Sequence, residues 1–425
     1  MGWNSWDAYG LTIDEADFRA NTKVLGGMKQ YGWQYSVIDE GWYMENPFGA
    51  NLEAKKYLYD GNGLLLPTVN RFPSSTGGAG FKPLGEWVHA QGLKFGIHVI
   101  RGIPKAVVKA NLPIAGSSFH AVDAADTSAT CPWDDANYGV SDSPAGQAFY
   151  DSMLKQYAGW GVDYIKVDCI SDHPYRPTEI RQIADAIRKT GRPIVLSLSP
   201  GPTQLEHAAE VAKYAQMWRI TDDHWDRWSV AGKTGEFPFG LSEEFDRIAA
   251  WAPYVKPESW PDPDMLPEGA LTPHPGWGEP RQSRYTQDEQ RTEFTLWAIS
   301  RSPLIFGGNL TKLDDFTQKL MTNKEVLEIN QKGIAGGPAM MPMNDGQPLP
   351  WRAWYARTAG PSPKTYLAVF NLKDDAFKSD LPWIDFHLSD KPHAVYDVWN
   401  EKHVPSAKSL HVDISPHGCA LFRVE

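Results

Sequence analysis

Two stretches of the chain carry residue types suited to nucleophilic and acid–base chemistry. Tyr164-Ile165-Lys166-Val167-Asp168-Cys169 is a β-rich run that ends in a lysine and an aspartate with one residue between them. Side chains alternate along a strand, so Lys166 and Asp168 share a face. A nearby ammonium favours the ionised carboxylate, the state that a carboxylate nucleophile needs. The second stretch, Met217-Trp218-Arg219-Ile220-Thr221-Asp222-Asp223-His224-Trp225-Asp226, interleaves acids and an arginine with tryptophan. Hydrolysis of a glycosidic bond needs two carboxyl groups flanking one bond, and Asp168 with one acid of this second cluster could supply them. Plainer readings fit the same residues: a structural ion pair for the first stretch, and a solvated acidic loop capping a helix for the second.

Such residues need elements to hold them. Short apolar runs alternate with amphipathic stretches over the first three-quarters of the chain. Strands are expected at Met1–Trp6, Tyr35–Trp42, Lys94–Ile100, Asp163–Cys169, Ile194–Leu198, Gln216–Ile220, near Met265 and at Pro303–Phe306. Helices are expected at Thr12–Met28, Ser143–Trp160, Pro177–Lys189, Leu205–Ala212, Ser242–Trp251 and Asp288–Ile299, the first opened by a Thr12/Glu15 capping box. Eight such units fit an α/β fold of the (β/α)8 TIM-barrel type. A doubly wound sheet is the alternative, but acids, Lys and Arg fall at the C-terminal ends of several strands, where a barrel gathers its site. From Gly333 the texture changes to short strands separated by Pro, Gly and Asp turns, among them Trp351–Arg357, Thr365–Leu372, Ala394–Trp399 and Ala420–Val424. The expected division is a catalytic barrel over residues 1–332 and a small antiparallel, sandwich-like β domain over 333–425.

Composition narrows the function classes. The chain has 425 residues, 42% of them hydrophobic and 22% charged, enough apolar material for a large core. A formal net charge of −11 argues against general nucleic-acid binding, which needs a basic surface. No apolar run is long enough to span a bilayer. The three cysteines, Cys131, Cys169 and Cys419, make no disulfide framework and no CxxC zinc pair. Neither HxH nor HExxH spacing occurs to support a metal-dependent barrel hydrolase. No secretory signal is visible at the start, where the residues already read as structured chain. The chain has 18 Trp, 17 Tyr and 17 Phe. Most of these are expected to fill the core, and some to stack on the apolar faces of a sugar.

An ordered set of blocks resembles glycoside hydrolase family 27, the α-galactosidase family. They are Met1-Gly2-Trp3-Asn4-Ser5-Trp6-Asp7, Ile38-Asp39-Glu40-Gly41-Trp42, Arg71-Phe72-Pro73, Leu93-Lys94-Phe95-Gly96-Ile97, Lys166-Val167-Asp168, Trp218-Arg219 with Asp223, and Asp262-Pro263-Asp264-Met265-Leu266, with Ser302-Pro303-Leu304 as a weaker match. The resemblance implies a retaining mechanism without metal or organic cofactor, a secreted or periplasmic home, and an oligo- or polysaccharide partner. It implies Asp168 as nucleophile and Asp223 as acid/base, with Asp222 competing for the second role. It places Trp3, Asp39, Glu40, Lys166 and Arg219 at sugar-binding positions, Trp3 beneath the ring, with Asp264 and Met265 bordering the site. Lys166 is then expected to hold Asp168 ionised, and Asp223, near Asp168 and Asp222, to titrate higher.

The departures bear on the sugar. Where the family has Asp-Asp, this chain has Asp39-Glu40, and the longer acid favours a sugar lacking the exocyclic CH2OH, such as L-arabinopyranose. Leu198-Ser199-Pro200-Gly201 replaces a bulkier segment, so Ser199 and its small neighbours leave room at the sugar's C2. His98 stands where a Tyr is common and is either a sugar ligand or a core histidine; Arg101 is expected to pair with an acid. The family often joins a cysteine after strand three to one just past the nucleophile, but Cys169 comes one position early, so free thiols are expected at Cys131 and Cys169. The expected activity is retaining exo-hydrolysis of terminal α-D-galactosyl residues. The alternatives are a β-L-arabinopyranosidase, or an α-N-acetylgalactosaminidase or α-glucan-acting enzyme on the same scaffold. The presence of both Asp168 and Asp223 argues against a non-catalytic carbohydrate-binding protein.

Overall fold

The structure, a computed structural model, describes residues 1–47, 57–230, 239–272, 279–340, 343–344 and 347–424. Eight strands alternate with helices: β1 (Gly2–Asn4), β2 (Tyr35–Ile38), β3 (Lys94–Ile100), β4 (Tyr164–Asp168), β5 (Val195–Leu198), β6 (Met217–Arg219), β7 (Trp260–Asp262) and β8 (Ile305–Phe306). They make one eight-stranded sheet, the (β/α)8 arrangement expected. Parallel pairing runs β6-β5-β4-β3-β2-β1-β8. Both faces of such a sheet are covered, so its strands are near-continuous apolar runs; β3 is buried at every position after Lys94. Gly96 lies at the tightest point of β3. A Cβ there would come within 2.8 Å of Val37 and 2.9 Å of Tyr164, forcing β2 and β4 apart.

Two strand expectations shift. β2 stops at Ile38 because Asp39 and Glu40 lead into a turn at Gly41, whose φ of +98° suits glycine alone. The strand expected near Met265 lies earlier, at β7. Met265 and Leu266 are apolar because they are buried after the strand, where Asp264 turns the chain at φ +86°.

The helices are α1 (Glu15–Met28), α2 (Lys82–Ala90), α3 (Pro144–Gly159), α4 (Pro177–Thr190), α5 (Ala208–Tyr214), α6 (Leu241–Trp251), α7 (Gln287–Ser300), α8 (Asp315–Thr322) and α9 (Lys324–Lys332). The Thr12/Glu15 capping box does not form. Asp14 caps α1 by accepting the Asp17 N–H, while Thr12 donates to the Tyr9 carbonyl and Glu15 accepts from Arg19. A capping box does open α7, between Thr286 and Glu289.

Contacts group the chain into two compact units. The first holds Met1–Arg219, Gly269–Gln282 and Ile305–Lys312; the second holds Ile220–Glu268, Ser283–Leu304 and Leu313–Glu425. The second unit contains an antiparallel β sandwich built from β9 (Gly333–Met340), β10 (Trp351–Thr358), β11 (Thr365–Asn371), β12 (Phe377–Pro382), β13 (His393–Asp397), β14 (Lys402–Ala407), β15 (Ser409–Ile414) and β16 (Cys419–Val424). One sheet runs β9-β10-β11-β16-β13-β14 and the other pairs β12 with β15. Trp351, Leu367, Val369, Leu381, Val412 and Phe422 share the core these sheets enclose. Within the same unit the sandwich also grips α6 and α7. Phe370 packs on Phe245 with ring centroids 5.0 Å apart, the Trp399 indole donates to Thr295 Oγ1 (3.0 Å), and Thr292 Oγ1 donates to the His417 carbonyl (2.7 Å).

Candidate active site

The first unit gathers most of the expected residues at the C-terminal ends of β1 to β6. Strand register sets His98 beside Lys166, Ile100 beside Asp168, and Lys166 beside Ser197. Lys166 Nζ donates to Asp39 Oδ2 at 3.0 Å, and Asn4 Nδ2 donates to the same oxygen at 2.6 Å. The Asp39 backbone N–H donates to Ser5 Oγ (2.9 Å), and the Glu40 N–H closes on Asp39 Oδ1 (2.8 Å). His98 Nε2 lies 3.3 Å from Asp168 Oδ2, and the Cys169 N–H donates to Asp168 Oδ1 at 2.6 Å. Ser199, following β5, and Arg219, ending β6, are both buried.

Exposure separates these groups by what each can reach. Asp168 keeps 16% of its side chain open, against 1% for His98 and 2% for Asp39. Asp168 is thus the most exposed of these three side chains. Burial pushes the Asp39 carboxyl up, but the charges of Lys166 and His98 and the bonds from Glu40 and Asn4 outweigh it and hold Asp39 at about 2. Burial likewise opposes ionisation of Asp168, and the His98 hydrogen bond and charge, then Lys166, then the Cys169 N–H, bring it below its ordinary value. Burial would lower the His98 imidazole, yet Asp39 and Asp168 together raise it, with Lys166 opposing. Asp39, Asp168 and His98 therefore favour one another's charged forms, and Lys166 favours those of the two carboxylates while opposing that of His98.

Several expectations need correction. Cys131 and Cys169 are joined in a disulfide, with Cα atoms 6.0 Å apart. Strand alternation would aim Cys169 wrongly, but Cys169 leaves the strand at φ +62°, and that left-handed turn redirects its side chain. Trp3 has no exposed surface: it packs against Tyr9 and Phe18 and spends its indole N–H on the Gly308 carbonyl (2.8 Å). It is a core residue, not an open platform. Trp6, three residues on, stays half-buried. His98 is a core histidine, the second of its two readings: its ring is buried, with Nε2 on the candidate nucleophile Asp168. Lys166 makes its short bond to Asp39 and acts on Asp168 through charge. Arg101 pairs with an acid as expected, Glu179 (2.9 Å), and also donates to the carbonyls of Cys169 (2.6 Å) and Thr130 (3.1 Å). Asn4 and Ser5 were missed, although two polar residues between tryptophans in the first motif were the available signal.

Asp222, Asp223 and Asp264 belong to the second unit. Asp222 and Asp223 are half-buried, and Asp222 Oδ1 accepts the Asp223 N–H at 2.9 Å. Asp264 Oδ2 accepts the His224 N–H at 3.0 Å, and the Asp264 carbonyl accepts from the Trp297 indole at 3.0 Å. Among the described residues, no group of three or more His, Cys, Asp or Glu side chains is arranged to hold a metal ion, and no helix is long and apolar enough to cross a membrane.

Residues 132–332 match the family described as alpha galactosidase A, and residues 350–424 match the alpha galactosidase C-terminal beta sandwich domain. The chain is 29% identical over 443 residues to alpha-galactosidase A of Cellvibrio japonicus, covering 100% of this chain and 91% of that protein. A crystal structure of a family 27 β-L-arabinopyranosidase from Geobacillus stearothermophilus superposes with a TM-score of 0.90 at 38% identity, covering 100% of this chain and 95% of that one. The chain belongs to glycoside hydrolase family 27. Another structural neighbour is a putative α-N-acetylgalactosaminidase from Bacillus halodurans, 36% identical with a TM-score of 0.85, covering 100% of this chain and 96% of the other. This family 27 protein is accordingly a glycoside hydrolase acting on a sugar substrate.

Proposed function

We propose that this protein is a retaining exo-glycosidase for terminal pyranosyl units of galactose-like ring stereochemistry, with Asp168 as nucleophile and Asp223 as acid/base. The observation that carries the reading is the setting of Asp168: a partly open carboxylate held ionised by His98 from behind. Asp168 attacks the anomeric carbon while Asp223 gives its proton to the leaving oxygen. Water then enters, Asp223 takes a proton from it, and the glycosyl–Asp168 ester breaks. Such a double displacement calls for carboxyl groups about 5–5.5 Å apart. Asp39 and Glu40 accept hydrogen bonds from sugar hydroxyls, with Asp39 kept in place by Lys166 and Asn4. Trp6, not Trp3, offers the apolar face for the ring.

On the choice of sugar, the α-galactosidase relatives favour α-D-galactosyl units. Two observations favour β-L-arabinopyranosyl units instead: Glu40 in place of the usual aspartate, and the 38% identity over the whole chain to a β-L-arabinopyranosidase. We give arabinopyranose the first place. Nitrophenyl α-D-galactoside, β-L-arabinopyranoside and α-N-acetylgalactosaminide, compared by kcat/KM, test the order. A galactoside preference reverses it, and no turnover of any of the three removes the reading.

A further inference from the structure

Next to the Asp222–Asp223 segment the second unit buries a cluster of acids that the steps above do not use. His224 is fully buried, with Nε2 2.6 Å from Glu293 Oε1 and 3.1 Å from the Tyr285 hydroxyl, and Nδ1 3.3 Å from Glu244 Oε1. Glu244 comes from α6, Glu293 from α7, and Tyr285 from the turn before α7; Glu268 follows β7. Glu244, Glu268 and Glu293 have no exposed surface. The peptide that joins Asp223 to His224 is fixed on both sides. Its carbonyl accepts the Phe239 N–H at 2.8 Å, and its N–H donates to Asp264 Oδ2 at 3.0 Å. Asp264 is in turn set by its own N–H bond to Asp262 Oδ1 (3.0 Å).

A carboxylate oxygen lies within ion-pair distance of each ring nitrogen, and the one from Glu293 is in hydrogen-bond contact with Nε2. Ion pairs taken out of water are retained only in good geometry, and breaking one strands the other charge. The ring is therefore held in one orientation, along with the backbone attached to it. We propose that His224 is a positioning residue for the acid/base: its side chain, gripped by Glu244 and Glu293, fixes the Asp223–His224 peptide and so the aim of the Asp223 carboxyl. This rests on the reading of Asp223 as acid/base. Burial favours the protonated form of Glu268, pushing its carboxyl up to about 8. The Tyr285 hydroxyl, facing Glu293, Asp226, Glu244 and Glu289, also stays protonated.

The test uses two glycosides of the preferred sugar, one with a nitrophenyl and one with an alkyl leaving group. In kcat/KM, which reports the first, glycosyl-transferring step, a misaimed acid hurts the leaving group that needs a proton, whereas the later water step needs Asp223 as base for both substrates. His224→Gln should lower kcat/KM on the alkyl glycoside by on the order of tenfold to a hundredfold more than on the nitrophenyl one. Equal losses on both substrates overturn the proposal. Asp223→Ala, run beside it, separates the two claims. Equal losses in Asp223→Ala remove the acid/base reading itself; a split there without one in His224→Gln removes only the proposal. Glu293→Gln keeps the shape of the acid at His224 Nε2 while removing its charge, and serves if His224→Gln fails to fold: it should show the same split between the two glycosides, and equal losses overturn the proposal.

Discussion

His98 Nε2 stands 3.3 Å from Asp168 Oδ2, and among the groups that favour the ionised form of Asp168, His98 ranks ahead of Lys166. The lysine two residues earlier on the same strand is nearer in sequence, but its short bond goes to Asp39.

Removing His98 should therefore expose the nucleophile to protonation. Asp168 has its pKa depressed and must be ionised to attack, so losing its main partner moves its titration upward. His98→Gln should shift the acid limb of kcat/KM to higher pH by about one unit, costing roughly tenfold below that limb and less at neutral pH. A pH profile on the nitrophenyl glycoside checks this, and an unmoved acid limb would show that His98 does not hold Asp168.

The roles of the two carboxylates are separable by rescue. Asp168→Ala should lose turnover while remaining folded, and azide should restore part of it with a product of inverted configuration. Near-wild-type kcat in that variant would remove Asp168 as nucleophile. For the wild type, an NMR time course should show the first-formed sugar with the substrate's own anomeric configuration. The opposite anomer would rule out retention.

Glu40→Asp addresses the sugar. If the longer acid crowds the CH2OH, shortening it should raise kcat/KM on the α-galactoside relative to the β-L-arabinopyranoside by on the order of tenfold to a hundredfold, the worth of one methylene. The change should lie in the galactoside, because the arabinoside has no CH2OH to collide with. An unchanged ratio means that Glu40 does not read that position.

The Cys131–Cys169 bridge closes a loop with a sequence separation of 38. Loop-closure entropy puts its contribution at about 4 kcal/mol. Cys131→Ser should lower the denaturant midpoint accordingly, whereas Cys419→Ser should barely change it. A midpoint unaffected by Cys131→Ser, or by reductant on the wild type, would contradict this.

Acid should loosen the site through Asp39. Its folded pKa of about 2 lies below the ordinary 3.8. The stability it contributes is present above the higher value and is lost as pH falls through the lower. The fully buried group accounts for roughly 2 kcal/mol on this reckoning. Melting temperature should drop between pH 4 and pH 2 more steeply in the wild type than in Asp39→Asn; parallel curves would show that Asp39 is not the group responsible.

The sequence revealed the parts of this molecule that depend on local pattern. β3 could be read to the residue because Phe95 to Ile100 is an unbroken β-rich run, and alternation alone put Lys166 and Asp168 on one face. It failed where the decisive relation is not local. His98 meets Asp168 only through the β3–β4 register. Cys169 reaches Cys131 only because of a left-handed turn that no motif announces. Glu244 and Glu293 look like solvated charges until α6 and α7 bring them to the two nitrogens of His224. β12, β14 and β15 were missed because Phe377–Pro382, Lys402–Ala407 and Ser409–Ile414 mix apolar residues with charged or polar ones, and the first two carry a proline each, a texture read as turns.

The grip of the sandwich on α6 and α7 bears on how this enzyme can be cut and recombined. Thr292 and Thr295 on α7 and Phe245 on α6 have partners beyond residue 332. α6 and α7 are also the helices that supply Glu244 and Glu293. A chain ended after Lys332 would thus lose the outer supports of the very helices that brace His224. Exchanging the tail for that of another family member grafts a foreign surface onto those two helices. Libraries that shuffle the two segments freely should yield folded enzyme mainly where the α6 and α7 faces travel with the tail, so the inherited unit is a helix pair plus a sandwich rather than the sandwich alone.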